Sequence, residues 1–264
     1  MQHVTWNVAV PLVLCGVAAL ADQFPVNSDK MQSVTPEQAA VLAQRKDKLV
    51  LNGLTALSDD TARALSQHEG VLYLNGLTTL SEASATALGQ HKGKVYLNGL
   101  TALSEEVAVE LAQKKGPLFL DGLTMLSEGL AKVLSRHHGV LSLSGLKTLT
   151  DEAAKELAQH DGKLYFGGLT ALSDEAALAL AGHKGWLVLD GLPSISDKAV
   201  ESLAEHKGGC LSLNGLTTLS DEAARAMARY KGKVHLLRLR MLSDEAADTL
   251  RANPNIHMPT KSRR

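Results

Sequence analysis

The chain has 264 residues, a formal net charge of −1 and two cysteines, Cys15 and Cys210. Near-neutral charge leaves no electrostatic footprint for a phosphate backbone, so nucleic acid is not an expected partner. Two cysteines exclude a disulfide framework, and the length is more than one small domain needs.

Residues 8–21 form an uncharged, mostly apolar run ending in Ala19, Leu20 and Ala21. This matches the core and the small-x-small cleavage site of a signal peptide, so a leader over 1–21 and a mature start at Asp22 are expected. The run is short for a membrane span, and no stable membrane insertion is expected after cleavage. Its start, MQHVTWN, lacks the lysine or arginine a leader ordinarily carries. The resulting location is secreted or periplasmic. Residues 22–34, rich in Asn, Ser, Asp and Gln, read as a flexible lead.

From 35 to 252 the pattern LxLNGLTxLSDEAAxxLAxHKGx is written nine times at a spacing of 23 residues. Its glycine recurs at Gly53, Gly76, Gly99, Gly122, Gly145, Gly168 and Gly191, then after one inserted residue at Gly215, and Arg238 takes the ninth place. A period of this length is the mark of a solenoid, whose units bury their apolar faces only by stacking. Within a unit, Val95 and Leu97 alternate with Lys94 and Tyr96, the period of a short strand with one buried face. Asn98 and Gly99 turn the chain, and Leu100 and Leu103 return to the core. Ser104 is placed as a helix N-cap with Glu105 and Glu106 in the first turn. Ser58, Ser81, Ser127, Thr150, Ser173, Ser196, Ser220 and Ser243 hold the same place. Gly162 and its counterparts Gly70, Gly93, Gly116, Gly139, Gly185, Gly208 and Gly232 are expected at C′, closing helices of nine or ten residues.

Strands that return through a helix lie parallel, by right-handed crossovers. They stack about 4.8 Å apart, whereas helices need roughly 8 Å or more, so the body curves with its sheet inside. The expected fold is thus α/β: a right-handed solenoid of nine strand-turn-helix repeats, with a parallel sheet on the concave face and helices on the convex face. Thr35, Pro36 and Glu37 open a half unit that caps one end, and the altered last unit, stopped by Asn253 and Pro254, caps the other. Residues 253–264 read as a tail.

Leucines at fixed places around a three-residue strand, such as Leu97, Leu100 and Leu103, resemble the leucine-rich repeat family in a short bacterial form. The resemblance implies a horseshoe with a ligand-binding concave face. It departs from the family at one position: Leu100 stands where an asparagine is usual, and Asn98 directly follows the strand.

With Leu72 and Leu74 inward, Tyr73 faces the concave surface. Its column reads Val50, Tyr73, Tyr96, Phe119, Ser142, Tyr165, Val188, Ser212 and His235, and the column two residues earlier includes Lys163 and Trp186. Five of the chain's nine aromatic residues, Tyr73, Tyr96, Phe119, Tyr165 and Trp186, stand in these two columns. Aromatics favour strands and stack along ladders, yet collecting them on one solvated face also marks a binding surface. Ser142 and Ser144 interrupt the stripe and leave a notch. Tyr73, Tyr96, Phe119, Ser142, Tyr165 and Trp186 are therefore the candidate ligand-binding residues. The expected function is a non-enzymatic module binding a peptide or protein. The alternatives are a glycan or cell-wall binder, and a spacer without a specific ligand.

No cofactor or metal is expected. His68, His91, His137, His160, His183 and His206 share the last-turn helix position, where ligands on successive rungs diverge on the outer face rather than converge. Their expected role is to complement the helix C-termini from the outer face. Asp190, Ser212 and His235 mimic a hydrolase triad, but serine between the other two is the wrong order. The acidic residues opening each helix read as a solvated, dipole-matched edge.

Overall fold

The structure, a computed structural model, describes residues 30–259. The expected leader, most of the lead and the last five residues lie outside the described residues. Every repeat forms a short strand, a turn and one helix. The strands, β1 (Leu49–Val50) to β10 (Ile256–His257), pair only with their sequence neighbours, all in parallel, in one ten-stranded sheet. Helices α1 (Pro36–Ala43) to α10 (Asp244–Arg251) pack side by side on the other layer. The fold is the expected solenoid with one addition. Ile256 and His257, placed in the tail by the sequence, pair with Val234 and His235 as a tenth rung.

Inward leucines explain the sheet's register. Leu72 pairs with Val95 and Leu118 with Leu141, so each rung buries its strand side chain directly on the next. Leu72, Leu74, Leu77, Leu97 and Leu100 are fully buried in one continuous core running between sheet and helices. Each such leucine removes a side chain from water worth roughly 1.5–3 kcal/mol, which no rung could collect without its neighbours.

Every expected N-cap is observed. The side-chain oxygens of Ser58, Ser81, Ser104, Ser127, Thr150, Ser173, Ser196, Ser220 and Ser243 each accept from the backbone N–H three residues on. The helix ends differ from expectation. Helices are seven or eight residues long, and their C-caps, such as Gln90 and Ala158, are right-handed in all but one helix, where Glu205 lies outside that region with φ still negative. The glycines that follow are not left-handed caps, for only Gly139 and Gly162 have positive φ, and both sit inside the longer strands β5 (His138–Ser142) and β6 (Asp161–Tyr165). At Gly93, Gly162, Gly185 and Gly208 glycine is required for a different reason: a Cβ would overlap the carbonyl of the corresponding glycine in the rung before, as on Gly93 against Gly70. The inserted residue of the eighth unit is absorbed in the same stretch, where Gly208 keeps the close approach and Gly209 bulges into open space.

Candidate functional site

The concave column carries the expected rings, and they stack. Tyr73 and Tyr96 lie 4.4 Å apart between ring centres with planes 9° from parallel, and Tyr96 and Phe119 lie 4.0 Å apart at the same angle. One rung spacing brings parallel rings to stacking distance, so the register Tyr73↔Tyr96↔Phe119 builds the ladder without further help. Both faces of Tyr96 are consequently covered by its neighbours, and burial with the adjacent Tyr73 phenol raises its pKa. The ladder then stops. Ser142 takes the next place, only 4% exposed, and Tyr165 stands beyond it without touching Phe119 ring to ring. Trp186 belongs to a separate contact: Lys163 Nζ lies 3.6 Å from its ring centre, and the indole is 45% exposed. The six candidate residues thus fall into a stacked triplet, a gap at Ser142 with Tyr165 on its far side, and a cation–π pair one rung further.

A second ladder runs beside the rings, and the sequence reading missed its role. Asn52 Oδ1 accepts the N–H of Asn75, Asn75 Oδ1 that of Asn98, and Asn98 Oδ1 that of Asp121, at 3.0–3.1 Å. These turn N–H groups have no strand partner, and the asparagine that directly follows each strand supplies one. Its signal was the departure from the leucine-rich pattern at Asn98. Asp121 and Asp190 continue the ladder with an added bond. Asp121 Oδ1 accepts from the Ser142 hydroxyl at 2.5 Å and from the Ser144 N–H at 2.8 Å. Asp190 Oδ1 accepts from Ser212 at 2.6 Å and from the Asn214 N–H at 2.9 Å. Ser212 therefore donates its proton to aspartate, and His235 stacks instead on His257 at 4.9 Å. The apparent triad is two separate structural contacts.

The repeat-position histidines are not on the outer face. His68, His91, His137, His160, His183 and His206 are all buried, because the chain turns inward one or two residues past each C-cap. Their rings stack along the solenoid at about 6 Å, His137 through His206 without interruption and then onto Tyr230. Burial lowers their pKa, to about 4 at His91, His137 and His183. They are neutral at pH 7 and cannot act as cations on the macrodipole. In three of them a ring nitrogen meets the previous rung's carbonyl, His91 Nε2 to Gly70 O at 3.0 Å, His160 Nε2 to Gly139 O at 3.1 Å and His206 Nε2 to Gly185 O at 3.2 Å, whereas the ring nitrogens of His68, His137 and His183 have no hydrogen-bond partner. No group of three or more His, Cys, Asp or Glu among the described residues is arranged to hold a metal.

One rung breaks this inner ladder. Lys114 takes the histidine position, is 1% exposed, and donates to the carbonyls of His91 and Gly93. Burial pulls its pKa down to about 8. A cleft of about 330 Å³ opens beside it between α4 (Glu105–Ala112) and α5 (Glu128–Leu134), lined by Val109, Lys114, Lys115, Val133, Arg136 and His138 among others.

No protein-family model matches the chain, and no curated protein matches it in sequence. Solved structures resemble it in shape. A crystal structure of a TLR13–ssRNA13 complex aligns with 83% of this chain and 36% of its own, at 13% identity and a TM-score of 0.49. The chain therefore spans about a third of that protein's length. An internalin, InlF, from Listeria monocytogenes aligns over 94% of both chains at 13% identity and a TM-score of 0.35. Neither likeness is close enough to carry a ligand across. No helix among the described residues is long and apolar enough to cross a membrane.

Proposed function

We propose that the chain is a non-enzymatic binding module that recognises a peptide or protein through its concave sheet. The observation that carries this reading is the ring ladder Tyr73–Tyr96–Phe119, displayed on the sheet face away from the core. Core positions repeat almost unchanged from rung to rung, whereas the concave column changes from tyrosine to phenylalanine, serine, valine and histidine. Exposed helix positions such as Thr86, Val109, Lys132 and Leu178 vary as well, and it is the change from ring to serine within the displayed column that supports recognition over a spacer role. The stacking itself disfavours the glycan reading. A sugar packs on an open ring face, and both faces of Tyr96 and one face each of Tyr73 and Phe119 are occupied by stacking. A polar, edge-presenting surface flanked by asparagine and aspartate suits an extended peptide or a protein loop.

Cleavage after Ala21 would deliver the module to a secreted or periplasmic location. N-terminal sequencing of exported material should give Asp22 first, and intact Met1 in cytoplasmic material would remove that part of the reading. Binding is tested by selecting a displayed random-peptide library on the purified chain in parallel with a glycan array. The reading expects enriched peptides and an empty array. Glycan hits without enriched peptides would overturn it.

A further inference from the structure

The ring ladder has one empty rung. Phe119, Ser142 and Tyr165 occupy successive places in one column, because Phe119 pairs with Ser142 and Ser142 with Tyr165. Tyr96 covers one face of Phe119, so its opposite face looks over Ser142. Two strand spacings, roughly 9–10 Å, separate the Phe119 and Tyr165 positions. A flat group held at van der Waals distance from both walls needs about 7–8 Å. By strand spacing alone the interval is about one planar group thick, and Ser142 at its floor is 4% exposed.

Its rim is acidic on one side. Asp121 lies two residues past Phe119 on the same sheet face and leans onto the next rung, where Oδ1 takes the Ser142 hydroxyl and the Ser144 N–H. Among the described residues no protein group donates to its Oδ2. Lys163, two residues before Tyr165 on the same strand, lies over the Trp186 ring. A neutral ring entering the gap would desolvate the carboxylate without pairing it, and an ammonium is not flat. A planar cation answers both conditions, stacking on aromatic walls while donating to a carboxylate.

We propose that the gap in the ring ladder over Ser142, walled by Phe119 and Tyr165 and rimmed by Asp121, receives the guanidinium of an arginine on the bound peptide or protein. The proposal rests on the concave-face reading above and names the side chain that face selects. The second aspartate–serine pair does not repeat the site. Asp190 Oδ2 already accepts from Asn214 Nδ2 at 3.3 Å, and the column around Ser212 offers Val188 in place of one aromatic wall. It serves as an internal control.

The test titrates a blocked Gly-Arg-Gly tripeptide into the full chain, following by NMR the Ser142 and Ser144 amides and the Phe119 and Tyr165 rings. The lysine and citrulline tripeptides separate charge from planarity. The arginine probe should give a saturable shift at these four residues and bind at least about fivefold more tightly than either counterpart. Asp121→Asn should weaken it about tenfold, and Asp190→Asn should leave it unchanged. Ser142→Tyr, which completes the ladder, should fold as the parent does and abolish the shift. Equal response to the lysine probe, an absent response, or full binding in Asp121→Asn would overturn the proposal. Library peptides that bind through Tyr96 and Phe119 but carry no arginine would overturn it while leaving the concave-face reading intact. Absence of both library binders and arginine response would remove the two together.

Discussion

The central rungs, over residues 82–150, and the later rungs, over 151–251, use the same repeat but are tied together differently. In the later rungs the first helical residue is Asp151, Asp174, Asp197 or Asp221, and each accepts the hydroxyl of the next rung's N-cap, Ser173, Ser196, Ser220 or Ser243. In the central rungs that residue is Glu82, Glu105 or Glu128, and Ser104, Ser127 and Thr150 donate to no such acid. One extra methylene carries the carboxylate past the hydroxyl; Glu105 lies instead over Gly129, where a Cβ would strike it. The inner ring ladder follows the same division, unbroken from His137 to Tyr230 and interrupted at Lys114. Central rungs are joined more by the concave rings, later rungs by bonds along the helix edge and rings inside. A dipole argument sees aspartate and glutamate as equivalent at a helix start; the stacking geometry separates them.

Acid should divide the two regions most strongly. The buried histidines have folded pKa values below the ordinary 6.5, reaching about 4 at His91, His137 and His183. Between those values the unfolded chain binds more protons, so stability is complete above pH 6.5 and is lost as pH falls toward 4. Each fully shifted histidine contributes about 1.4 kcal/mol per pH unit across that window. The later rungs hold three adjacent rings, His160, His183 and His206, whose charges would repel one another, whereas His91 and His137 of the central rungs are set apart by Lys114, and this puts the larger loss in the later rungs. Hydrogen exchange at pH 5 against pH 7 should show protection falling first over 151–251, and uniform loss would contradict the division.

Lys114 gives the next largest effect. Lys114→Ala leaves two carbonyls and a cavity, and should cost about 2–4 kcal/mol in denaturant unfolding. Lys114→His should restore the inner ladder and keep most of the parent stability. Because the folded pKa of about 8 lies below the ordinary 10.5, the parent should gain stability as pH rises from 8 to 10.5. Lys114→Met should lose that alkaline rise, and retaining it would place its origin elsewhere.

Exchanging the acids is the subtlest test. Asp151→Glu with Asp197→Glu keeps charge and dipole but removes two inter-rung bonds, and should lower Tm by roughly 2–6 °C. Glu82→Asp with Glu128→Asp should raise it by a similar or smaller amount. Equal and negligible shifts in both directions would show that the edge bonds contribute nothing measurable.

Much of this fold was legible because a repeat states each structural demand nine times. Inward leucines, N-caps and the concave column follow from periods of two and 3.6 residues, which local geometry enforces. What one unit cannot reveal is contact between units. His91 beside Lys92 looks like a basic helix end until the turn directs the ring inward, and Gly93 looks like a C-cap until Gly70 of the previous rung is placed against it. Asn98 acts only on the next rung, so its meaning lies 23 residues away, at Asp121. At the candidate site, the column order gave the rings and the interruption at Ser142. That Tyr96 has no free face, and that Asp121 holds Ser142, both follow from contacts between rungs that no single repeat contains.

The most direct test of concave recognition is the affinity of a library-selected peptide for the variant carrying Tyr96→Ser, Phe119→Ser and Tyr165→Ser, with its fold confirmed by circular dichroism. Interface anchors are commonly worth about 2 kcal/mol or more, so Phe119→Ala alone should weaken binding roughly thirtyfold and the triple variant should show none. Changing the exposed convex residues Arg63, Lys132 and Lys155 to serine should leave affinity unchanged. Full affinity in the triple serine variant, or its loss in the convex one, would contradict the account.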